Sequence, residues 1–123
     1  MDMPPAPARR RTLIRALTLV AADGADQVAW LEKYDLPTDE IALNFDDAFR
    51  LAAYLAEEEQ LGHAALPYLE RITEVFGQMG DDSGADRWSK DALTTDPGWD
   101  LARRLARTVL AAEGERDEEP TTG

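Results

Sequence analysis

His63 is the only imidazole in the sequence and there is no cysteine, so thiolate chemistry is ruled out and any hydroxyl nucleophile would have one histidine to draw on. No serine stands in the Gly-x-Ser-x-Gly setting that presents a nucleophile at a strand-to-helix turn. His63 adjoins Gly62 at an expected helix boundary and reads as a capping or surface residue. Gly77 to Gly84 is glycine-rich but lacks the Lys-Ser/Thr that a phosphate-binding loop needs. Asp81, Asp82, Ser83 and Asp86 offer oxygens to a hard cation, yet alternate positions are not oxygen donors and Leu93 stands where a calcium loop closes with glutamate. Those four residues read as a solvated turn, with Ser83 or Asp82 capping the next helix. No acidic residue is embedded in an apolar run in the way that raises a carboxyl for acid–base work. No catalytic residue, metal or cofactor is therefore expected.

Binding chemistry has better candidates. Glu57, Glu58 and Glu59 fall in the last turn of an expected helix, where the macrodipole disfavours anions by about 0.3–1 kcal/mol each. Two readings answer that cost: pairing with Arg50 or Arg71 across a hairpin, or an acidic patch presented to a basic partner. Arg103, Arg104 and Arg107 share one side of a helix, with Asp100 at pairing distance in sequence. They read as a solvated face, a thin nucleic-acid face or a partner for the acidic stretch Glu113 to Glu119. Trp30, Trp88 and Trp99 lie on amphipathic segments and default to packing. Trp30 and Trp99 are the natural interface anchors wherever they are left exposed.

These residues sit on a chain of 123 residues, the size of one domain. Apolar residues make up 44% and charged residues 31%, which is enough to bury a core. The net charge is −12, and Ala21 to Ala112 alone holds 19 Asp/Glu against 8 Lys/Arg, so the folded body itself is acidic. Such a field repels phosphate backbones and anionic membranes and draws in basic partners over about 10 Å at moderate salt. Absence of cysteine fits a reducing compartment, and no apolar run approaches the roughly 20 residues of a membrane span. Arg9-Arg10-Arg11 followed by Thr12-Leu13-Ile14-Arg15 resembles a twin-arginine export signal, but the stretch after it, Ala16 to Ala22, is at the short edge for one. A cytoplasmic protein is expected, with export as the alternative.

Helical periodicity runs through most of the chain. Leu13, Leu17 and Val20 predict a helix at about 10–22, closed by Gly24 in a left-handed stop. Val28, Trp30, Leu31 and Tyr34 predict a second at 25–34, ending before Leu36-Pro37 and packing on the first as a hairpin. Thr38 to Leu43 is ambiguous between a helical turn and an extended connector. Asn44 then offers a cap for a core helix at 45–61, apolar nearly all round and ended by Gly62. Pro67 suits the first turn of a helix at 65–79 with Leu69, Ile72, Phe76 and Met79 as its stripe. A fifth helix at 84–94 is broken by Asp96-Pro97-Gly98, and a sixth runs from Trp99 to Ala112.

Within this pattern Leu69, Ile72 and Phe76 take the large positions of a repeat's first helix, Gly80 its turn, Ala85 and Ala92 the small positions of its second helix, and Pro97 its terminal proline. Residues 66–112 thereby resemble a single tetratricopeptide-type helical hairpin. Thr73 stands where that pattern has a small glycine, Ser89 where it has an aromatic, and upstream Glu58 falls on an expected alanine, so one copy is present. The resemblance implies hairpin packing and a peptide-binding groove, although one repeat does not make a solenoid.

The expectation is an all-α compact bundle of five or six short antiparallel helices over 9–113, with mobile tails at 1–8 and 114–123. It would be a monomer or weak dimer that binds a protein or peptide with a basic surface. It would serve as an adaptor or as an inhibitor or immunity-type protein, with no direct nucleic-acid or membrane contact. A nucleic-acid mimic that blocks a DNA- or RNA-binding protein is the alternative, and a carboxylate-metal enzyme a third class.

Overall fold

The computed structural model describes residues 4–82 and 86–118, other than the side chains of 53 and 116–118. Among the described residues the fold is all-α. Its elements are α1 (Ala6–Ala21), α2 (Gly24–Tyr34), α3 (Glu40–Phe49), α4 (Ala52–Glu57), α5 (Ala65–Asp81), α6 (Ala92–Thr95) and α7 (Pro97–Glu118). No helix among them is long and apolar enough to cross a membrane. α7 is the spine: it packs on α5, α1 and α6, while α1 also carries α3 and α4, and α2 lies on α6.

The spine role follows from side-chain size. Ala102, Ala106 and Val109 of α7 are buried, and small residues bring helix axes toward the near end of the usual 8–10 Å range. Leu13, Leu17 and Val20 of α1 fill one side, and Leu69, Ile72 and Met79 of α5 the other. Both stripes recur at helical spacing, which is why these two helices are close to their expected limits.

Proline and glycine act differently from expectation at several ends. α1 starts at Ala6 because prolines are tolerated in a first turn, where the missing N–H has no helical partner. Residues 6–8 thus belong to the helix rather than to a tail. Residues 114–118 likewise continue α7, and the remaining tail residues, 1–3 and 119–123, lie outside those described. α1 ends with Ala22 extended, and Gly24 is not a left-handed stop but the first residue of α2. Its backbone approaches α6 so closely that a Cβ there would stand 2.8 Å from the Leu93 carbonyl oxygen. α2 accordingly turns onto α6 instead of folding back along α1 as a hairpin.

The expected core helix at 45–61 is two helices. The connector at 38–43 resolves as the start of α3, so Asn44 is helical rather than a cap, and Leu51 leaves the helical region with φ −100° and ψ 0°. This corner lets both halves lie on α1. α4 ends at Glu57, short of Gly62, and Glu59 rather than a glycine makes the left-handed stop. Glu59 adopts φ 61°, Gln60 N–H donates to the Leu55 carbonyl at 2.8 Å and Glu59 N–H to that of Ala56 at 3.2 Å, the paired bonds of a Schellman end. Of the expected fifth helix at 84–94 only residues 92–94, within α6, are helical among those described; residues 87–91 form turns, and 83–85 lie outside those described. Asp96-Pro97-Gly98 both breaks α6 and starts α7, since proline's fixed φ suits the first helical position.

Leu55 is fully buried in the core cluster, so Leu55→Ala should lower the unfolding free energy by about 2–5 kcal/mol. Chemical denaturation measures it, and a loss under about 1 kcal/mol would show that α4 is not part of the core.

Candidate functional site

α3 and α5 flank a groove of about 710 Å³, within the size range of ligand and peptide clefts. Phe45 of α3, Phe76 of α5 and Trp88 of the 87–91 turns give it an apolar floor. Pro37 and Thr38 line it together with the start of α3, and Leu43, 53% exposed, stands at its lip. Along α5 the lining is small: Thr73, Gly77 and Gly80. The polar lining includes two carboxylates, Asp39 and Asp46. Their seven-residue separation places both on one side of α3, about 10 Å apart.

The floor is held by an aromatic cluster. Phe76 lies 6.2 Å from Phe45, 6.3 Å from Trp88 and 5.2 Å from Trp99, and Trp88 meets Trp99 edge-on at 5.6 Å, separations at which aromatic rings attract beyond simple burial. Trp99 is 0% exposed, and its indole N–H donates to the Arg87 carbonyl at 2.9 Å. That bond fixes the turn carrying Trp88. Arg87 in turn grips Asp96 with two parallel bonds of 2.9 Å, and Asp96 accepts the Gly98 N–H at 2.6 Å, capping α7. A Cβ at Gly98 would stand 2.6 Å from the Arg87 guanidinium and 2.8 Å from the Met79 sulfur, so a side chain there would displace the ends of both. The Arg87 bonds hold the Asp96 carboxyl below the usual carboxylate range, outweighing the opposite pull of burial, with help from the Gly98 and Trp99 amides. Arg87 is raised by the same bonds.

Asp46 has one competing partner, Arg50, at 3.3 Å, with both side chains well exposed. Pairs of this kind contribute about 0–1 kcal/mol and are screened by salt, so Asp46 is open to exchange for an incoming cation. Arg50 also faces Asp47, and Arg71 pairs with Glu74.

The acidic run 57–59 does not line this groove. Glu58 pairs not with Arg50 or Arg71 but with Arg9, whose Nη2 donates to both carboxylate oxygens at 3.0 and 2.9 Å. Arg9 is 7% exposed, its Nε bonds the Pro4 carbonyl at 2.8 Å, and its Nη1 finds no acceptor among the described residues. Glu58 is therefore the counter-ion of a buried guanidinium, which answers its unfavourable place at a helix end. Glu57 is exposed, and Glu59 forms the left-handed turn. Beside them Arg10 joins the Gln60 carbonyl at 2.9 Å and Glu113 at 3.3 Å, and Glu113 accepts the Gly62 N–H at 3.1 Å.

Trp30 is partly buried and tilts on Tyr34 at 5.5 Å, outside the groove. Trp99, expected as an anchor if exposed, lies in the core and reaches the groove only through Phe76 and Trp88. His63 is exposed in the turn before α5. Asp82 faces Arg87 at 3.6 Å, and Asp86 accepts the Trp88 N–H at 3.2 Å. Ser83 lies outside the described residues, and among those described no three histidine or carboxylate groups converge for a metal.

Sequence reasoning missed the groove. Its one available signal was the pair Gly77 and Gly80, beside the apolar stripe of α5. Gly80, expected in a turn, lies within α5. Comparison with protein-family models, curated proteins and solved structures yields no match.

Asp96→Asn keeps the shape and removes the charge from the cap, and should cost about 1–3 kcal/mol at neutral pH. Because the native carboxyl titrates below its unfolded value of about 3.9, that stabilisation is complete above this value and fades as pH falls through the native one. The gap between wild type and variant should therefore close on acidification; a gap unchanged at low pH would reject the charged cap. Glu58→Ala should cost about 1–3 kcal/mol by stranding Arg9, whereas Glu57→Ala should change stability by less than about 0.5 kcal/mol. Equal effects in thermal melts would refute the assignment of Glu58 as counter-ion.

Proposed function

We propose that this protein is a binding module that takes a basic segment of a partner protein or peptide into the α3–α5 groove, acting as an adaptor or as an inhibitor or immunity-type protein that occludes a basic site. The observation that carries the reading is the groove itself, an apolar aromatic floor with Asp39 and Asp46 among its lining. A net charge of −12 adds a field that steers cationic partners, while covering the exposed Leu43 and the partly buried Trp88 supplies the hold once they arrive. The resemblance of residues 66–112 to a tetratricopeptide-type hairpin, with the peptide groove it implies, belongs to the same reading. So do a monomeric or weakly dimeric state, which the self-repulsion of the charge favours, and a cytoplasmic location. Arg9 and Arg10 of the export-like arginine run are tied to Glu58 and Glu113.

Glu57, Glu58, Glu59 and Trp30 stand outside the groove, and the reading moves the partner site from them to Asp39, Asp46 and Trp88. Trp88 also supplies the signal. Titration with a cationic amphipathic peptide of Lys and Leu should change its fluorescence, and Trp88→Phe should remove that change. Affinity should fall about tenfold or more from low to high salt, and the double variant Asp39→Asn, Asp46→Asn should bind weakly at either salt with an unaltered melting temperature. A Glu-for-Lys version of the peptide that bound equally well would reject a basic partner.

A further inference from the structure

We propose that the segment accepted by this groove is an α-helix laid along α5, its backbone passing over Gly77 and Gly80 and its cationic side chains, two turns apart, meeting Asp39 and Asp46. The proposal rests on the basic-partner reading above and adds the partner's conformation and register.

The lining of α5 points to a helix. Gly77 and Gly80 lie within α5, where each glycine weakens a helix by about 0.5–1 kcal/mol relative to alanine. Neither adopts positive φ, and a Cβ at either would meet no atom within 4 Å. Backbone geometry and internal packing therefore do not require glycine at these two positions. Both open into the groove, as does Thr73 one turn earlier. Thr73, Gly77 and Gly80 form a smooth trough about 10 Å long, two helical turns, and small residues along such a trough allow a second helix axis to come close.

The backbone argues the same way. An extended peptide gains affinity by adding a strand to a sheet edge with open N–H and C=O groups. The two long walls, α3 and α5, are helices whose main-chain groups are bonded along their own axes, and neither offers a sheet edge, so an extended guest lying between them would lose backbone hydrogen bonds to water without replacement. A helical guest brings its own. Its apolar positions at i, i+3/i+4 and i+7 match a two-turn trough over Phe45, Phe76 and Trp88, with Leu43 at the lip as a further apolar contact. The spacing from Asp39, at the N-cap of α3, to Asp46 within it, also two turns, sets Lys or Arg at i and i+7 on the guest's α3-facing side.

The test uses the full chain and the Lys/Leu peptide in three forms: helical, with the same composition interrupted by proline, and helical with glutamate for lysine. Trp88 fluorescence and calorimetry are the readouts. The helical cationic form should bind at least about tenfold more tightly than the proline form. Gly77→Ala and Gly77→Leu should each raise the melting temperature, by supplying a better helix former at an open position, while weakening the helical peptide progressively, leucine more than alanine. Equal binding of the proline and helical cationic forms would overturn the helix while leaving the basic-partner reading standing. Equal binding of the two helical forms would sink the basic-partner reading instead. A lower melting temperature for Gly77→Ala would show that the fold needs the glycine and would remove the trough argument. Absence of binding by every form up to millimolar peptide would overturn the groove as a docking site. Self-association of the wild type that Gly77→Leu abolishes would assign it to a second copy of the chain.

Discussion

Arg103 is the constraint on which the arrangement of the bundle depends. A guanidinium that is 9% exposed must have its donors met, because a buried cation left short of acceptors costs several kcal/mol. Here the acceptors are mostly main-chain oxygens. Nε donates to the Ala22 carbonyl at 2.8 Å, and Nη2 to the Leu93 carbonyl at 2.7 Å and to Gln27 Oε1 at 3.1 Å. Gln27 passes the connection on, its amide donating to the Leu19 and Val20 carbonyls, and Arg107 takes the Ala21 carbonyl at 2.8 Å. The last turn of α1, negative by its dipole, is thus closed by two cations from α7. One side chain thereby ties α7 to α1, α2 and α6, and the turns leading to α6 carry the aromatic wall of the groove.

That use of arginine explains why the molecule presents so acidic a surface. Arg9, Arg10, Arg87, Arg103 and Arg107 are all engaged in closing the fold, and their heads face carbonyls or structural carboxylates. Arg9 and Arg103 are buried and Arg10 and Arg87 partly so, while Asp39, Asp47 and Glu57 stay exposed. A net charge that looks like a bulk property of composition is therefore unevenly distributed. From 39 to 50 the chain sets Asp39, Glu40, Asp46 and Asp47 against one cation, Arg50, and a cleft with low-dielectric walls concentrates such a field.

The same inward use limits what was legible in the sequence. α1, α5 and α7 were readable because each carries a long apolar stripe at helical spacing, and Pro67 marked the start of α5 within the first turn. The corner at Leu51 was not, because residues 45–56 are apolar on nearly every side and periodicity cannot tell one buried helix from two that meet at an angle. The sequence pattern places Trp88 on a helix at 84–94, whereas residues 87–91 form turns. Its local segment holds polar residues that bond the backbone, Asp86 to the Trp88 N–H and Ser89 to the Ala92 N–H, and these bonds compete with helical ones. The pairing of Arg9 with Glu58 spans 49 residues, a separation at which local spacing rules say nothing. Arg50 and Arg71 were the near choices in sequence, and both are occupied by neighbours on their own helices.

The groove is legible only from the conjunction of these choices. α3 and α5 are drawn together at Phe45 and Phe76, whose rings meet edge-on, and above that contact Leu43 of α3 faces only small residues of α5 in the lining. On α5 the outward flank is Thr73, Gly77 and Gly80, and on α3 it is Ala42 between two carboxylates. Closing the gap by moving the helices together would compress the Phe76, Trp88 and Trp99 cluster, which Arg87 and Asp96 pin to the start of α7. Filling it with a larger side chain would cost the fold nothing at Gly77 or Gly80, where open space surrounds the backbone. A cleft that stability alone would fill, yet is left open beside a rigid aromatic floor, is the kind of local departure from folding rules that functional sites carry, and here Asp39 and Asp46 stand in its lining.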